Sequence, residues 1–458
     1  MKPDRVPLAF LIPALLLATA CGRGPTPGDD GGVGAEPPTP EERALAAEIL
    51  ADEGLTKVLA MAKALLATGF TAGEGYEEVW IRDLATFIEI SCQVREHEEI
   101  REKLLMFFRF QGDDGNIVDG YTPVEKPGAG YDFIVKASVP DFKAHKNTVA
   151  TDHESSLVQA VARFVRVTAD ASILEEEIEG FTVLERMDRA LRYLLDHRWS
   201  EEYGLVWGGA TADWGDVRPD HEWGVVLEDG SHRAIDVYDN AMFLLAIADY
   251  LSLLPADSER YADWTAIHRD LHRSARKHLW QAERQQFVAH LYLDESPFPE
   301  SVDESRIYYH GGTTMAIAAE LLTRDEIAAS LARMRENVRR SGAPSLGLTL
   351  YPPYPEGVFK NPILTVPYTY QNGGDWTWFG GRTIQQLVAH GFVADAYLEI
   401  QPMVARALAN GGFWEWYTRD NQPAGWGSFR GSAGALGLAI EKLQEWALRV
   451  SNEAPEKG

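Results

Sequence analysis

Two neighbouring helical segments decide the fold: GDWTWFGGRTIQQLVAHG at residues 374–391 and ADAYLEIQPMVARALAN at residues 394–410. Apolar residues recur in both at the three- and four-residue spacing of one helix face. Only two residues separate the segments, which predicts a pair of antiparallel helices packed side by side. A helical hairpin is therefore the unit from which we build the fold.

The same periodicity recurs along the chain and predicts twelve helices, which pair into six hairpins. The predicted helices lie near 41–69, 80–92, 95–111, 151–168, 178–198, 234–254, 261–281, 311–322, 324–338, 374–391, 394–410 and 430–449. The chain after residue 40 exceeds the usual size of one hydrophobic core, so it forms either two domains or one large toroidal repeat.

Four long connections interrupt the helices, at 112–150, 199–233, 282–310 and 340–373, and they are rich in Trp, Tyr, Asp and Gly. Long connections in a compact domain are usually functional. A ring of antiparallel helix pairs places its connections at its two ends, so we expect one end to carry a cleft. Alternating residues within 284–310 predict a small β-hairpin.

The N-terminus has the pattern of an export signal. Charged residues precede a short apolar run, and Ala18-Thr19-Ala20-Cys21 resembles the lipobox of bacterial lipoproteins. We therefore expect a signal peptide at 1–20, a lipid on Cys21, a disordered tether at 21–40, a catalytic domain at 41–450 and a tail at 451–458. The resemblance implies a lipoprotein anchored to a membrane, in the periplasm or at the cell surface; the alternative is a plain secretory signal cut nearby.

Charge and cysteine content exclude several classes of function. Removal of residues 1–20 takes the formal net charge from -26 to -27, a surface that repels nucleic acid and anionic lipid. Cys92 would be the one cysteine left free, and we expect it to be a small buried residue. The acidic stretch 113–120 lacks the spacing of a calcium loop, and turn chemistry explains it better. We expect no metal and no cofactor.

One carboxylate lies among aromatic residues near the C-terminus, in Gly411-Gly412-Phe413-Trp414-Glu415-Trp416-Tyr417, and Trp426 follows closely. Aromatic faces stack on the apolar faces of a pyranose, and an acid beside them can accept a proton from water. A short loop of this kind is typical of a sugar site. The alternative is a core aromatic cluster with an exposed Glu.

Two further clusters contain acidic residues. Trp80-Ile81-Arg82-Asp83 opens a predicted helix, where Arg82 and Asp83 would pair and bind two adjacent sugar hydroxyls. The segment 207–217 contains Asp213, Trp214 and Asp216, and crowded acids beside apolar rings raise one another's pKa. The alternatives are a solvated Arg82 with Asp83 in a first helical turn, and an Asx-turn with both acids in water.

Two more blocks precede helices. Tyr368–Phe379 combines amides with aromatic rings, a pattern typical of hydrogen bonding together with stacking. The block 147–156 predicts a capping box with Thr151 as the N-cap and Glu154 at the third helical position. Asp152 and His153 are then candidate contacts at the rim of the site.

With these blocks the chain resembles the six-hairpin glycosidases, whose (α/α)6 barrels include glucoamylase, trehalase, processing α-glucosidase I and amylo-α-1,6-glucosidase. Residues 79–83 resemble their W-x-R-D block, and residues 370–376 their Y-Q-N-G-G-x-W block. Glu415, followed by Gln422–Gly425, is similar to the block that carries the general base. Asp216 matches the acid of the E-S-G-x-D block, but Ala212 and Asp213 replace its Glu and Ser.

The resemblance implies an exo-acting glycoside hydrolase that inverts the anomeric centre, with an α-glucoside or a related oligosaccharide as substrate. Asp216, or Asp213 as the alternative, would be the general acid and Glu415 the general base. The implied sugar-binding residues are Trp80, Arg82, Asp83, Trp214, Gln371, Asn372, Trp376, Trp416 and Trp426. Rival functions are a sugar epimerase, lyase or phosphorylase on the same barrel, and a surface glycan-binding lipoprotein without catalysis.

Overall fold

The computed structural model describes residues 37–129 and 133–453, and these residues form thirteen α-helices. The helices are α1 Pro40–Ala51, α2 Glu53–Leu66, α3 Ile81–Val94, α4 His97–Phe110, α5 His153–Thr168, α6 Val183–His197, α7 Val237–Leu251, α8 Glu259–His278, α9 His310–Ala318, α10 Arg324–Ser341, α11 Thr377–Ala389, α12 Val393–Ala409 and α13 Arg430–Asn452. Each predicted helix is confirmed, but the first is split in two. The carboxylate of Asp52 accepts hydrogen bonds from the backbone N–H groups of Gly54 and Leu55 and so starts α2 as a new helix.

Six of these helices form a closed inner ring. The order around the ring is α3, α5, α7, α9, α11, α13 and back to α3. The helix that follows each of α3, α5, α7, α9 and α11 in sequence lies outside and packs against it, and α1 and α2 pack against α13, which gives six inner–outer hairpins. The inner helices are buried on nearly all sides, as a ring enclosed by a second ring requires. The predicted (α/α)6 barrel is confirmed.

The connections divide between the two ends of the barrel. Those that enter an inner helix span 67–80, 111–152, 198–236, 279–309, 342–376 and 410–429, and all lie at the N-terminal end of the inner ring. Those that leave an inner helix span 95–96, 169–182, 252–258, 319–323 and 390–392. The end that we expected to carry a cleft is therefore also the end at which six helix N-termini converge, and helix N-termini favour negative charge.

The described residues also form short antiparallel strands, most of them in the entering connections and one pair, at 177–182, in the connection that leaves α5. They are β1 Val79–Trp80, β2 Gly120–Pro123, β3 Phe142–His145, β4 Glu177–Ile178, β5 Phe181–Thr182, β6 Trp199–Ser200, β7 Leu205–Val206, β8 Gly208–Gly209, β9 Arg233–Ile235, β10 Trp280–Gln281, β11 Gln286–Phe287, β12 Leu291–Tyr292, β13 Tyr308–Tyr309, β14 Leu350–Tyr351, β15 Trp414–Tyr417 and β16 Pro423–Gly427. The prediction that two strands within 284–310 pair with each other was wrong. Instead β11 pairs with β10, and β12 pairs with β9, because partners outside the segment cover both strands.

Small residues allow the inner helices to approach closely. A Cβ atom at Gly381 of α11 would lie 2.7 Å from the backbone of Ala435 in α13, and one at Gly434 would lie 2.3 Å from the Cβ atom of Phe87 in α3. Cys92 of α3 is a free, buried thiol as expected, and burial raises its pKa to about 12. The thiol is accordingly unreactive at neutral pH.

Several sequence-based expectations concern residues outside the described part of the chain. Residues 1–20, Cys21 and most of the segment 21–40 lie there, as do residues 454–458 of the predicted tail. Across the described ranges, no helix has both the length and the apolar character that a membrane span requires.

Candidate active site

Five of the predicted site residues meet at the N-terminal end of the inner ring: Arg82, Asp83, Asp216, Gln371 and Glu415. Arg82 and Asp83 lie in the first turn of α3, while Glu415 is on β15. Asp216 and Gln371 lie in the connections that enter α7 and α11. Four connections or helix starts, far apart in sequence, therefore contribute to one site.

Glu415 is held by the β15–β16 hairpin and not by the loop that we expected. The strand register shifts between Trp414 and Trp416, so Glu415 lies at a β-bulge, a feature that redirects a side chain. Its Oε2 atom accepts a hydrogen bond of 3.1 Å from the backbone N–H of Trp426. A Cβ atom at Gly425, which has φ +69°, would lie 2.2 Å from that oxygen, so the approach requires glycine.

The surroundings of Glu415 suit a base. The Tyr76 hydroxyl donates to Oε1 at 2.8 Å, and the side chain is almost fully buried. Burial and the negative charge of Asp216 raise the pKa of Glu415. Hydrogen bonds from Tyr76, Trp426 and Tyr370 lower it, but the net shift of the pKa is upward. A carboxylate with a raised pKa is a stronger proton acceptor.

Asp216 is the more accessible of the two candidate catalytic carboxylates, with 34% of its side chain exposed. Its Oδ1 atom pairs with Nη1 of Arg82 at 2.6 Å, and Nε2 of Gln371 donates to its Oδ2 atom at 3.1 Å. The side chain of Asn147 donates to its backbone carbonyl at 2.9 Å. Both carboxylate oxygens and the backbone are thus oriented while one face stays open.

Arg82 makes a second, deeper ion pair with Asp152. Its Nε and Nη2 atoms donate to the two Asp152 carboxylate oxygens at 2.7 and 2.8 Å, a bidentate contact. The Tyr238 hydroxyl donates to the same carboxylate at 2.9 Å. The expected pairing of Arg82 with Asp83 was therefore wrong, because the guanidinium donors are directed to Asp152 and Asp216.

The predicted capping box at the start of α5 was also wrong. Asp152 is the N-cap and its side chain makes no cap hydrogen bond, since it is committed to Arg82. Glu154 accepts instead from the backbone N–H of Ile117 and from Lys146, both at 2.8 Å. Asp152 is fully buried, so it supports the site from below and does not lie at a rim.

Asp83 is a buried carboxylate with an unused acceptor. It is 7% exposed, and within the described residues its Oδ1 atom has no hydrogen-bond partner. Burial raises its pKa to about 7; Arg82 opposes this rise, and the charges of Glu415 and Asp216 add to it. Gln371 has the same property, because its buried Oε1 atom also lacks a partner in the described part of the chain. Both oxygens are therefore free to accept a hydrogen bond.

Asp213, the alternative acid, points away from this group of residues. Its carboxylate oxygens accept from the backbone N–H groups of Gly311 and Gly312, both at 2.8 Å, and so cap the N-terminus of α9. Asp213 is 1% exposed, and burial raises its pKa well above the usual range despite these hydrogen bonds. It has a positive φ of 54°, which turns the chain so that Asp216 can face Arg82.

The predicted aromatic residues lie at different depths. Trp214 and Trp376 are almost fully buried and pack against each other with ring centroids 4.8 Å apart. Trp214 also stacks on Phe379 at 4.6 Å, so these rings form the floor beneath the carboxylates. Trp416 is 8% exposed and contacts the Tyr370 ring edge-on.

Three other predicted residues lie further out or are committed to the protein. Trp80 is half-buried, with its ring 5.9 Å from that of His145, while Trp426 is 51% exposed. Asn372 is fully buried; its side chain accepts from the backbone N–H of Tyr354 and donates to backbone carbonyls. It therefore organises a loop.

Sequence reasoning missed two tyrosines. Tyr370 is partly buried at the site, and its pKa is raised well above the usual range by desolvation and by the charges of Glu415, Asp216 and Asp83, so the hydroxyl stays protonated. The block at 370–376 could have indicated it. Tyr76 also has a raised pKa, through burial and its neighbours Tyr370 and Glu415. Nothing in the residues around Tyr76 signals its role.

The described residues contain no cluster of three or more His, Cys, Asp or Glu side chains arranged to hold a metal ion. In the acidic stretch at 113–120, the Asp114 carboxylate accepts from the backbone N–H of Asn116 at 3.1 Å. This contact is an Asx-turn, so the turn explanation of that stretch is confirmed.

Comparison with solved structures identifies the same fold elsewhere. An uncharacterized conserved protein from Thermus thermophilus matches with a TM-score of 0.58 and 16% identity, over 83% of this chain and 98% of its own. A GH63 mannosylglycerate hydrolase from the same organism, in complex with glucose, matches at 0.57 and 17%, over 87% of this chain and 99% of its own.

A rhamnosidase from Klebsiella oxytoca with rhamnose bound matches at 0.55 and 15% identity, over 86% of this chain and 64% of its own. No family model and no curated protein sequence matches the chain. At these identities the likeness shows the six-hairpin (α/α)6 fold alone, so function must be argued from the site.

Proposed function

We propose that this protein is an exo-acting glycoside hydrolase that inverts the anomeric centre, with Asp216 as general acid and Glu415 as general base. One observation carries the proposal. Two carboxylates from distant parts of the chain enter one site, influence each other electrostatically and are each held by several hydrogen bonds. Two structural neighbours with sugars bound, a mannosylglycerate hydrolase and a rhamnosidase, support a glycosidic substrate by analogy of fold.

The proposed reaction is a single displacement. Asp216 donates its proton to the glycosidic oxygen as the bond from that oxygen to the anomeric carbon breaks. A water molecule attacks the anomeric carbon from the opposite face, and its proton passes to Glu415. Inversion requires carboxyl groups about 6.5–9.5 Å apart, with room for that water. The products are the inverted sugar and the free alcohol.

The unpartnered acceptors support recognition of a terminal sugar. Asp83 Oδ1 and Gln371 Oε1 are buried and lack donors within the described residues. Sugar hydroxyls are suitable donors, and a buried acceptor left unsatisfied costs about 1–3 kcal/mol. A sugar with free hydroxyls would satisfy both atoms, whereas a sugar substituted at those positions would not. We propose an α-glucoside or a related oligosaccharide as the substrate.

The proposal is tested by incubating the protein with a panel of α- and β-linked gluco- and manno-oligosaccharides. Reducing sugar is measured, and proton NMR identifies the anomer that forms first. We expect release of terminal monosaccharide with inverted configuration. Asp216→Asn and Glu415→Gln should each lower kcat at least about 100-fold, the usual scale for loss of a positioned acid or base. Asp220→Asn, an exposed change nearby, is the matched control.

Other outcomes would contradict the proposal. Retention of the anomeric configuration would exclude the single displacement, and full activity in both variants would exclude these residues. A product that forms only with added inorganic phosphate would indicate a phosphorylase, and an unsaturated product would indicate a lyase. Binding without turnover across the panel would favour a glycan-binding protein.

We also propose that the protein is exported and anchored to a membrane by a lipid on Cys21. The support is the charged start, short apolar run and small residues of 1–21. Labelling of expressing cells with radioactive palmitate should mark the protein, and Cys21→Ala should abolish the label and release the protein from membranes. Equal labelling of the Cys21→Ala variant would refute the lipid site.

A further inference from the structure

The segment Thr211–Val217, which carries Asp213, Trp214 and Asp216, is here called the acid loop. Its two ends are fastened to each other, because the Thr211 hydroxyl donates to the Val217 carbonyl at 3.0 Å. The apolar side chains of Ala212 and Val217 do not join the main barrel core. They belong to a separate small core formed mainly by the connections that enter α9 and α11.

A largely buried carboxylate, Glu304, lies beside this small core, with 15% of its side chain exposed. Its Oε1 atom is 2.8 Å from Nδ1 of His290 and accepts from the Tyr354 hydroxyl at 2.7 Å. Its Oε2 atom accepts from the Tyr292 hydroxyl at 2.6 Å. These contacts outweigh the effect of burial and lower the pKa of Glu304, so it is ionised at neutral pH.

A chain of hydroxyl groups joins Glu304 to the acid loop. The single hydroxyl proton of Tyr354 goes to Glu304, so the Tyr309 hydroxyl donates to the Tyr354 oxygen at 2.6 Å; the same hydroxyl lies 3.4 Å from the Thr211 carbonyl, a longer second branch of that donor. Tyr354 is itself fixed by Asn372, as described above. Tyr354, Tyr309 and Thr211 are nearly fully buried, so water does not compete for the contacts between them.

A second fastening reaches the same loop from the residues that follow Tyr309. Asp213 accepts from the N–H groups of Gly311 and Gly312, which lie in the first turn of α9, and α9 follows β13 directly. The acid loop is thus tied to the β13–α9 junction at two points. Asp216 lies on the side of the acid loop that faces the site, where it contacts Arg82 and Gln371.

We infer that Glu304 is a positioning residue for the general acid: through Tyr354 and Tyr309 it holds the acid loop in the place that aims Asp216 at the leaving group. The inference rests on the proposed function in so far as Asp216 is the acid. Glu304 contacts neither substrate nor reacting atoms, and its loss should loosen the loop without removing any catalytic group.

A poorly positioned Asp216 should lower kcat only when the leaving group needs a proton. Fluoride leaves as an anion: water attacks the anomeric carbon, the carbon–fluorine bond breaks, and the water proton passes to Glu415, so Asp216 donates nothing. An alkoxide leaving group requires the proton. The ratio of kcat on a disaccharide to kcat on a glycosyl fluoride therefore reports how well Asp216 is aimed.

The test compares Glu304→Gln with the wild type, using maltose and α-D-glucosyl fluoride. We expect kcat on maltose to fall about 10-fold or more while kcat on the fluoride changes less than about 2-fold, within the range of general acid catalysis. Glu300→Gln, an exposed change in the same connection, is the control and should alter neither. Equal losses on both substrates, or no loss, would overturn the inference.

A second readout keeps the test independent of activity. Hydrogen exchange of backbone amides at 211–217 should be faster in Glu304→Gln than in the wild type and Glu300→Gln. Unchanged exchange would refute the link between Glu304 and the acid loop, whether or not the protein hydrolyses either probe. Failure to hydrolyse both probes would contradict only the proposed substrate. If Glu304→Gln does not fold, Tyr309→Phe removes only the bridging hydroxyl and should show the same two effects.

Discussion

Replacement of Asp83 by Asn should make the protein more stable and less active. Asp83 has a pKa of about 7 in the folded protein against an ordinary value of 3.8, because it is buried near Glu415 and Asp216. The folded state thus keeps the proton up to about pH 7, whereas the unfolded chain loses it near pH 4. The free energy of unfolding of the wild type falls between these values, by on the order of 4 kcal/mol in total.

Asparagine cannot ionise, so Asp83→Asn removes this pH-dependent cost. Urea denaturation should show that the variant gains stability over the wild type, and that its advantage grows by about 2–3 kcal/mol from pH 5 to pH 8. The same change leaves a neutral acceptor for a sugar hydroxyl where the wild type is ionised above about pH 7, so kcat/KM should there fall roughly 10-fold, the difference between a charge-assisted and a neutral hydrogen bond.

The control for this prediction is Asp229→Asn, a substitution at an exposed position. Its stability relative to the wild type should not vary over the same pH range. A difference between Asp83→Asn and the wild type that is constant with pH would refute the reasoning. So would a variant that is less stable than the wild type at pH 8.

Three further predictions follow from individual contacts. Asp152→Asn should lower the free energy of unfolding by about 3–5 kcal/mol, because it leaves the buried guanidinium of Arg82 without its bidentate partner. Despite burial, the Arg82 charge and hydrogen bonds lower the pKa of Asp152, so this difference in the free energy of unfolding should shrink as the pH falls below about 4. Glu336→Gln, which breaks an exposed pair of similar length, should have little effect on denaturation. Tyr76→Phe removes a hydrogen bond that lowers the pKa of Glu415, so the acidic limb of the kcat/KM profile should move to higher pH. Trp426→Ala should raise KM for oligosaccharides but not for glucosyl fluoride, because we expect the exposed ring to contact sugar units beyond the terminal one, and equal changes in both would contradict this.

Local pattern was enough to place the helices, because helical periodicity depends only on neighbouring residues. The break at Asp52 was missed, since it depends on one side chain capping the next helix. The short strands were harder to predict: β11 and β12 each pair with partners that the alternation of their own residues does not reveal.

The acidic members of the site could be identified from composition and motif, but their partners could not. Tyr76 and Glu415 are 339 positions apart, and only closure of the ring brings them together. Arg82 was expected to pair with its neighbour in sequence, yet residues adjacent in a helix point in different directions. Its true partner, Asp152, comes from the next inner helix.

The division of connections between the two barrel ends has a practical consequence. The inner helices α7 and α9 have 15 and 9 residues and are about 22 and 14 Å long, so the turns at 252–258 and 319–323 that follow them lie roughly those distances from the N-terminal end of the ring. A fluorescent label, a resin or a fused protein joined at those turns would leave the candidate site unobstructed. Immobilised in that orientation, the protein should keep the proposed activity at its level in solution.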